Sequence, residues 1–287
     1  MIKNWISAAR PRTLPTSIAP VILATTYAWQ DDKADWKVFT ICMLFALAAQ
    51  IASNFANDYF DYKHGSDKPN RVGPRRAVAS GDIKPKTMLR ATIITLAIAA
   101  VLGCMLIPVG GWPLVLLGAI IILFALAYSA GPYPLSYHGL GEVTVFVFFG
   151  LVPVTATYWL QTQSITSEVL IGAAAMGLLS SNILLVNNYR DYHTDQEDGK
   201  RTSVVILGRK FAIVTYLVNG ILATAMLCTS FVGAAFALLF MMLHLKTWRG
   251  LKTTEGTALN AYIGLTARNQ LLFTIIYLLV AIINSQL

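Results

Sequence analysis

The chain reads Asn57-Asp58-Tyr59-Phe60-Asp61-Tyr62 where one long apolar stretch ends, and Asn187-Asn188-Tyr189-Arg190-Asp191-Tyr192 where another ends. Further carboxylates follow each copy, Asp67 after the first and Asp195 after the second. An aspartate placed at the centre of a bilayer costs about 3 kcal/mol. Two acidic clusters beside membrane-length segments therefore indicate a bound polyvalent cation, and with it an anionic ligand that the cation holds.

The composition is typical of a polytopic membrane protein. Of 287 residues, 56% are hydrophobic and 13% charged, whereas a soluble protein carries about 25% charge. Apolar stretches that are long enough, or nearly so, to cross a bilayer core of about 30 Å cover 14–30, 38–57, 88–108, 113–130, 143–160, 168–188, 211–229, 231–246 and 269–284. Ser230 marks the turn between the seventh and the eighth. We therefore predict an all-α fold of nine transmembrane helices, forming one integral-membrane domain over residues 1–287.

The basic residues predict the orientation of the chain. If each of the nine stretches crosses the membrane once, the loops alternate between its two sides. Of the 22 lysines and arginines, only Lys33 and Lys37 then lie on the side opposite the N-terminus. The positive-inside rule makes the other side cytoplasmic, and that side includes the N-terminus. The net charge of +8 therefore describes a membrane face, and we predict contact with membrane lipid and no nucleic-acid partner.

Each acidic cluster has helical spacing. One face of the second helix carries Asn54, Asn57, Asp58 and Asp61, and the sixth repeats this with Asn188, Asp191 and Asp195. Both clusters lie at the inner ends of even-numbered helices, so they are expected to face each other across a central cavity that opens to the cytoplasm. Mg²⁺ prefers oxygen ligands, and two carboxylate arms could hold it against a diphosphate. The alternative is that these are solvated helix ends, where aspartate is tolerated.

Other polar residues near the clusters could bind the ligands. We predict diphosphate contacts from Asn57, Asn188 and four basic residues, namely Lys63, Arg76, Lys200 and Arg201. The positive-inside bias alone would also explain these cations. After the fourth helix, substrate contacts are predicted from Tyr128, Tyr133 and Glu142, since aromatic faces could stabilise a cation. An interfacial aromatic belt and a helix N-cap are the alternatives for these three residues.

The motifs resemble those of the UbiA superfamily of intramembrane prenyltransferases, which has nine transmembrane helices. Asn57, Asp58 and Asp61 match its first motif, and Asp191 and Asp195 match the core of its second. The resemblance implies that these four aspartates are catalytic and bind Mg²⁺. Because Gly65 stands at the family's usual third aspartate, Asp67 is the nearest candidate for a fifth metal ligand.

The displaced position of the third aspartate resembles the sequence pattern of one branch, the 1,4-dihydroxy-2-naphthoate polyprenyltransferases. The segments 9–15, 131–142 and 199–202 resemble the same branch. That branch implies a bacterial cytoplasmic (inner) membrane and transfer of a polyprenyl group from polyprenyl diphosphate to 1,4-dihydroxy-2-naphthoate. Diphosphate and CO2 are lost, and a demethylmenaquinol forms. Two other functions stay open. One is a related enzyme that uses 4-hydroxybenzoate or haem as acceptor, and the other is an ion-coupled transporter.

Overall fold

The computed structural model describes residues 2–65, 72–228 and 230–286, and these residues are almost entirely helical with no strand. The nine long helices within the described residues are α1 (Pro15–Gln30), α2 (Trp36–Lys63), α3 (Pro85–Cys104), α4 (Pro113–Ala127), α5 (Gly141–Thr162), α6 (Ser167–Arg190), α7 (Arg209–Ala225), α8 (Phe231–Thr253) and α9 (Leu259–Asn284). Each contains most of one predicted apolar stretch. The prediction of an all-α, multi-pass membrane fold is confirmed.

Six of these helices, α2, α3, α5, α6, α8 and α9, are long and apolar enough by length and composition to cross a bilayer. The helix α4 is apolar but shorter, and α1 and α7 have 16 and 17 residues. The predicted break between the last two stretches of the 211–246 region is also confirmed. Ser230 caps α8, because its hydroxyl oxygen accepts a hydrogen bond from the Gly233 N–H at 3.0 Å.

The helix α6 lies at the centre of the bundle, and 72% of its most apolar window is buried, against 17% for α3. It packs closely against α5 at a pair of glycines. A Cβ atom on Gly150 would lie 2.3 Å from the Gly177 Cα. A larger residue at position 150 would therefore push the two helices apart. This contact fixes the start of α5 beside the end of α6, where the second acidic motif is.

Two of the apolar stretches are shorter than the helices that contain them, because these helices continue into polar sequence. The predicted ninth stretch begins at 269, after the charged Arg268, but α9 begins at Leu259. The second apolar stretch ends at 57, and α2 continues to Lys63, which confirms that Asn54, Asn57, Asp58 and Asp61 lie on one helix. Polar side chains that face other helices reduce the hydropathy of a segment without ending the helix.

The second motif was predicted to continue a single helical face from Asn188 to Asp195, and this is also wrong. The helix α6 ends at Arg190, Asp191 caps it, and a separate short helix follows at Tyr192–Glu197. Another short helix, Ser203–Leu207, comes before α7. The chain therefore turns at the acidic motif and covers the end of the bundle at which α6 finishes.

Candidate active site

The two acidic motifs line one cavity of about 640 Å³. The lining residues from the motifs are Asn57, Asp58 and Asp61 on one wall and Asn187, Asn188, Asp191 and Asp195 on the other. The cavity also reaches Cys42, near the opposite end of α2. With a rise of about 1.5 Å per helical residue, it runs roughly 28 Å along α2, close to the thickness of a bilayer core. It thus has an acidic end and a long apolar end.

The first motif is bound by the segment that follows α2. Asp58 is only 2% exposed, and its two carboxylate oxygens accept hydrogen bonds from the backbone N–H groups of Ala77 and Val78, both at 3.1 Å. Arg76 of the same segment donates from its guanidinium to Asp61 at 3.2 Å. The chain after α2 therefore folds back over the motif and brings a cation to it.

The second motif contains its own cation. The side chain of Arg190 is 1% exposed, and its guanidinium forms a fork with both carboxylate oxygens of Asp191. It also donates to the side-chain carbonyls of Asn187 and Asn260, both at 2.8 Å. Asn260, on α9, in turn donates to the Val72 carbonyl at 3.1 Å. The second motif is thereby linked through Asn260 to the segment that covers the first.

The predicted cations separate into two groups. Arg76 and Lys200 line the cavity, and the Lys200 ammonium lies 3.8 Å from an Asp195 carboxylate oxygen. Lys63 and Arg201 are exposed to solvent and do not line it. Asp67 lies outside the described residues.

The predicted substrate contacts also separate. Tyr128 lines the cavity, whereas Tyr133 is 57% exposed and stacks on His138. Glu142 does not reach the cavity wall. Its carboxylate binds Asn188 and Ser203 instead, and this explains why a single acidic residue is tolerated at the start of α5.

Four arginines that were not among the predicted site residues also line the cavity, namely Arg10, Arg12, Arg75 and Arg190. Two signals could have identified them. The segment Arg10-Pro11-Arg12 comes directly before α1, and Arg10 takes the left-handed conformation with φ 52°, which is uncommon for a residue with a side chain. The fourth position of the motif is Phe60 in the first copy and the charged Arg190 in the second.

The donors in the cavity suit Mg²⁺ better than a softer metal. The aspartates and asparagines of both motifs offer only oxygen ligands and amide groups, and within residues 2–65, 72–228 and 230–286 no three acidic, His or Cys side chains group closely enough to hold a metal. Mg²⁺ commonly binds one or two carboxylates and completes its shell with water and substrate phosphate. Carboxylates on opposite walls fit that pattern.

Two buried acceptor atoms deeper in the cavity lack partners among the described residues. The Gln50 Oε1 atom on α2 and the Thr16 Oγ1 atom on α1 belong to side chains that line the cavity and are 9% and 6% exposed. An unpaired buried polar atom costs about 1–3 kcal/mol. A ligand that brings a hydrogen-bond donor to this depth would remove that cost.

The fold and this cavity define an intramembrane prenyltransferase of the UbiA class. Residues 17–281 match the UbiA prenyltransferase family, and the chain belongs to that family. Solved structures with this fold include a UbiA homolog from Archaeoglobus fulgidus bound to DMAPP and Mg²⁺, with a TM-score of 0.68, 11% identity and coverage of 96% of this chain and 99% of that one. The apo structure of a UbiA homolog from Aeropyrum pernix K1 has a TM-score of 0.69 and 16% identity over 94% and 98%.

Curated relatives at 32–41% identity share one name. The 1,4-dihydroxy-2-naphthoate octaprenyltransferase of Escherichia coli (strain K12) is 39% identical over 210 residues, covering 71% of this chain and 68% of that protein. The protein with the same name from Mycobacterium tuberculosis (strain ATCC 25618 / H37Rv) is 41% identical over 223 residues, covering 77% and 75%.

Proposed function

We propose that the chain transfers a polyprenyl group from polyprenyl diphosphate to 1,4-dihydroxy-2-naphthoate, releasing diphosphate and CO2 and giving a demethylmenaquinol. The observation that carries this proposal is the convergence of both acidic motifs, with Arg76, Arg190 and Lys200, on one cavity with a long apolar end. The names of the curated relatives support the choice of acceptor.

The diphosphate would lie at the acidic end of the cavity. Mg²⁺, when bound there, would neutralise the charge that grows on the departing diphosphate. Asp61, Asp191 and Asp195 would hold it, with Asn57 and Asn188 as further oxygen ligands, once the cations beside these aspartates share or release their oxygens. Asp58 would stay bound to the backbone N–H groups that occupy both of its oxygens. Arg76 and Lys200 would bind the diphosphate oxygens, because each already lies beside an aspartate of the motifs.

The acceptor would lie deeper than the diphosphate. Neither an ionised diphosphate nor a prenyl chain carries a hydrogen-bond donor, whereas 1,4-dihydroxy-2-naphthoate has two hydroxyl groups. These hydroxyls would donate to Gln50 and Thr16, whose acceptor atoms are unpaired in the described structure. The Tyr128 ring also lines the cavity and could face the allylic cation formed when diphosphate leaves. The ring carbon that bears the carboxylate would then attack that cation.

The position in the membrane belongs to the same proposal. The chain is a multi-pass membrane protein. Its basic loops support an orientation in which the N-terminus and the acidic end of the cavity would lie on the cytoplasmic side of a bacterial inner membrane. Residues 1–287 would form one integral-membrane domain. The apolar end of the cavity would take the prenyl chain, whose length the cavity of about 640 Å³ does not have to enclose if the chain continues into lipid.

A transfer assay tests the proposal. Membranes containing the protein are incubated with Mg²⁺, a radiolabelled polyprenyl diphosphate and either 1,4-dihydroxy-2-naphthoate or 4-hydroxybenzoate, and the lipid is extracted. We expect labelled lipid with the naphthoate only, none with Asp191→Asn, and wild-type yield with Glu255→Ala, which breaks only an exposed ion pair with Arg209. Label with 4-hydroxybenzoate alone would contradict the acceptor, and no label with either would contradict the enzymatic activity.

A further inference from the structure

Glu142 connects three segments around the second acidic motif without reaching the cavity. It lies in the first turn of α5, and its Oε1 atom accepts hydrogen bonds from the Asn188 amide nitrogen at 2.8 Å and the Ser203 hydroxyl at 2.6 Å. Asn188 belongs to α6, and Ser203 begins the short helix Ser203–Leu207. Of these three residues, only Asn188 lines the cavity among the described residues.

The contact with Glu142 determines which end of the Asn188 amide faces the cavity. An ionised carboxylate can only accept hydrogen bonds, so the amide NH2 group must be the end that turns toward it. The carbonyl oxygen at the other end is then left for a ligand in the cavity. Without Glu142 the amide could rotate by half a turn, and its NH2 group would point at the ligand.

We infer that Glu142 is a positioning residue, which holds the Asn188 carbonyl oxygen toward the bound Mg²⁺–diphosphate and fixes the following short helix in place. This inference rests on the proposed function, since it concerns the same anionic ligand. A cation, or a water bound to it, needs an oxygen at this position and would be repelled by N–H groups. Glu142 therefore acts on the ligand through Asn188 and does not touch it.

The second carboxylate oxygen of Glu142 makes a sharp test possible. Oε2 is buried and has no hydrogen-bond partner in the described part of the chain. A glutamine at this position can keep Oε1 as the acceptor for both Asn188 and Ser203 and place its nitrogen where Oε2 was. A positioning role is therefore preserved in Glu142→Gln and lost in Glu142→Ala, whereas a role that needs the negative charge is lost in both.

A matched control is available on the same pair of helices. The Ser181 hydroxyl on α6 donates to the backbone carbonyl of Glu142 at 3.0 Å, and Ser181 does not line the cavity. Ser181→Ala therefore removes a hydrogen bond between α5 and α6 of similar length but leaves the carboxylate and Asn188 in place. It reports what a general loosening of this helix contact does to the protein.

The experiment measures Mg²⁺ dependence in the detergent-purified full chain. The Mg²⁺ concentration giving half-maximal turnover is determined, together with the rise in thermal midpoint on adding Mg²⁺ and inorganic pyrophosphate, which requires no acceptor. We expect Glu142→Ala to raise the half-maximal concentration about tenfold, as when one hydrogen bond no longer holds a ligand group. Glu142→Gln should restore the wild-type half-maximal Mg²⁺ concentration. Ser181→Ala should lower the thermal midpoint but leave the half-maximal Mg²⁺ concentration unchanged.

Four outcomes would overturn the inference or separate it from the proposed function. If Glu142→Gln fails as badly as Glu142→Ala, the charge itself is needed and the positioning role is wrong. An equal rise in the half-maximal Mg²⁺ concentration of Ser181→Ala would show that general loosening of the contact between α5 and α6 causes the effect, and the inference would be wrong. A wild-type protein that responds to Mg²⁺ and pyrophosphate but transfers to no acceptor removes the proposed function and leaves this inference standing, while no response overturns both. If Glu142→Ala does not fold, Glu142→Gln and Ser181→Ala still decide between the two roles.

Discussion

Replacing Asp58 by Asn should cost stability as well as activity, although the change is isosteric. From the sequence alone, this substitution is expected to abolish turnover and leave the fold intact. The structure adds a second consequence, because both carboxylate oxygens of Asp58 accept backbone N–H groups, from Ala77 and Val78, in a site that is 2% exposed. An amide in this position must turn its NH2 group toward one of those N–H groups.

The magnitude follows from this geometry. One charge-assisted hydrogen bond is lost and one buried backbone N–H is left unpaired, a destabilisation of about 1.5–3 kcal/mol. Asp61→Asn is the matched control, since the Asp61 carboxylate accepts its hydrogen bond from the Arg76 side chain and not from the backbone, and an Asn carbonyl can still accept that bond. Both substitutions remove one negative charge from the site, and both should lower kcat by about 10²–10³.

The assay compares the two variants in parallel. Thermal unfolding of the purified proteins in detergent, without added Mg²⁺, reports stability, and transfer of radiolabelled prenyl to 1,4-dihydroxy-2-naphthoate reports activity. We expect similar losses of activity and a clearly lower thermal midpoint for Asp58→Asn only. Equal thermal midpoints for the two variants would refute the structural role of Asp58, and near wild-type activity in Asp61→Asn would refute the metal role of the first motif.

Three further substitutions test other parts of the site. Arg190→Lys keeps the charge but loses the fork, and each bond it breaks to Asp191 or Asn260 is worth about 1.5–3 kcal/mol, so the thermal midpoint should fall; an unchanged midpoint contradicts the network. Gln50→Leu should raise KM for the aromatic acceptor about tenfold, and leave KM for the prenyl diphosphate unchanged, because one hydrogen bond to the acceptor is lost; steady-state kinetics with each substrate varied decide this. Tyr133→Ala should change kcat/KM less than about twofold, since surface substitutions rarely act strongly, and a larger loss would return this exposed ring to the site.

The fold was predictable because hydropathy and charge act over whole segments. A membrane helix needs about 20 apolar residues, and the basic loops alternate with them, so errors at single residues do not change the count of stretches. The start of α9 was less predictable. Arg268 resembles the end of a membrane segment, and only the structure shows that the helix continues through it to Leu259.

The site was predictable where residue spacing alone determines position. Asn57, Asp58 and Asp61 share a helical face in any α2, so their place on one wall of the cavity follows from the sequence. The cations that serve them come from loops, whose paths depend on tertiary contacts. Of the predicted cations, Arg76 reaches the cavity and Lys63 does not, although Lys63 is nearer to the motif in the chain.

The two motifs share four of six residues but differ in their surroundings, and this difference limits what a repeat can predict. In the first motif, Asp58 is bound by backbone N–H groups and Asp61 by an arginine from a separate segment. In the second, Asp191 is bound by its neighbour Arg190, at a place where the first copy has Phe60. Arg190 must release or share the Asp191 carboxylate before that carboxylate can bind a metal ion. Asp61 is bound by Arg76, which belongs to a segment outside α2 and can move away without moving that helix. The two walls should therefore bind their share of the ligand with different strengths, and equal roles for corresponding aspartates do not follow from their equal spacing.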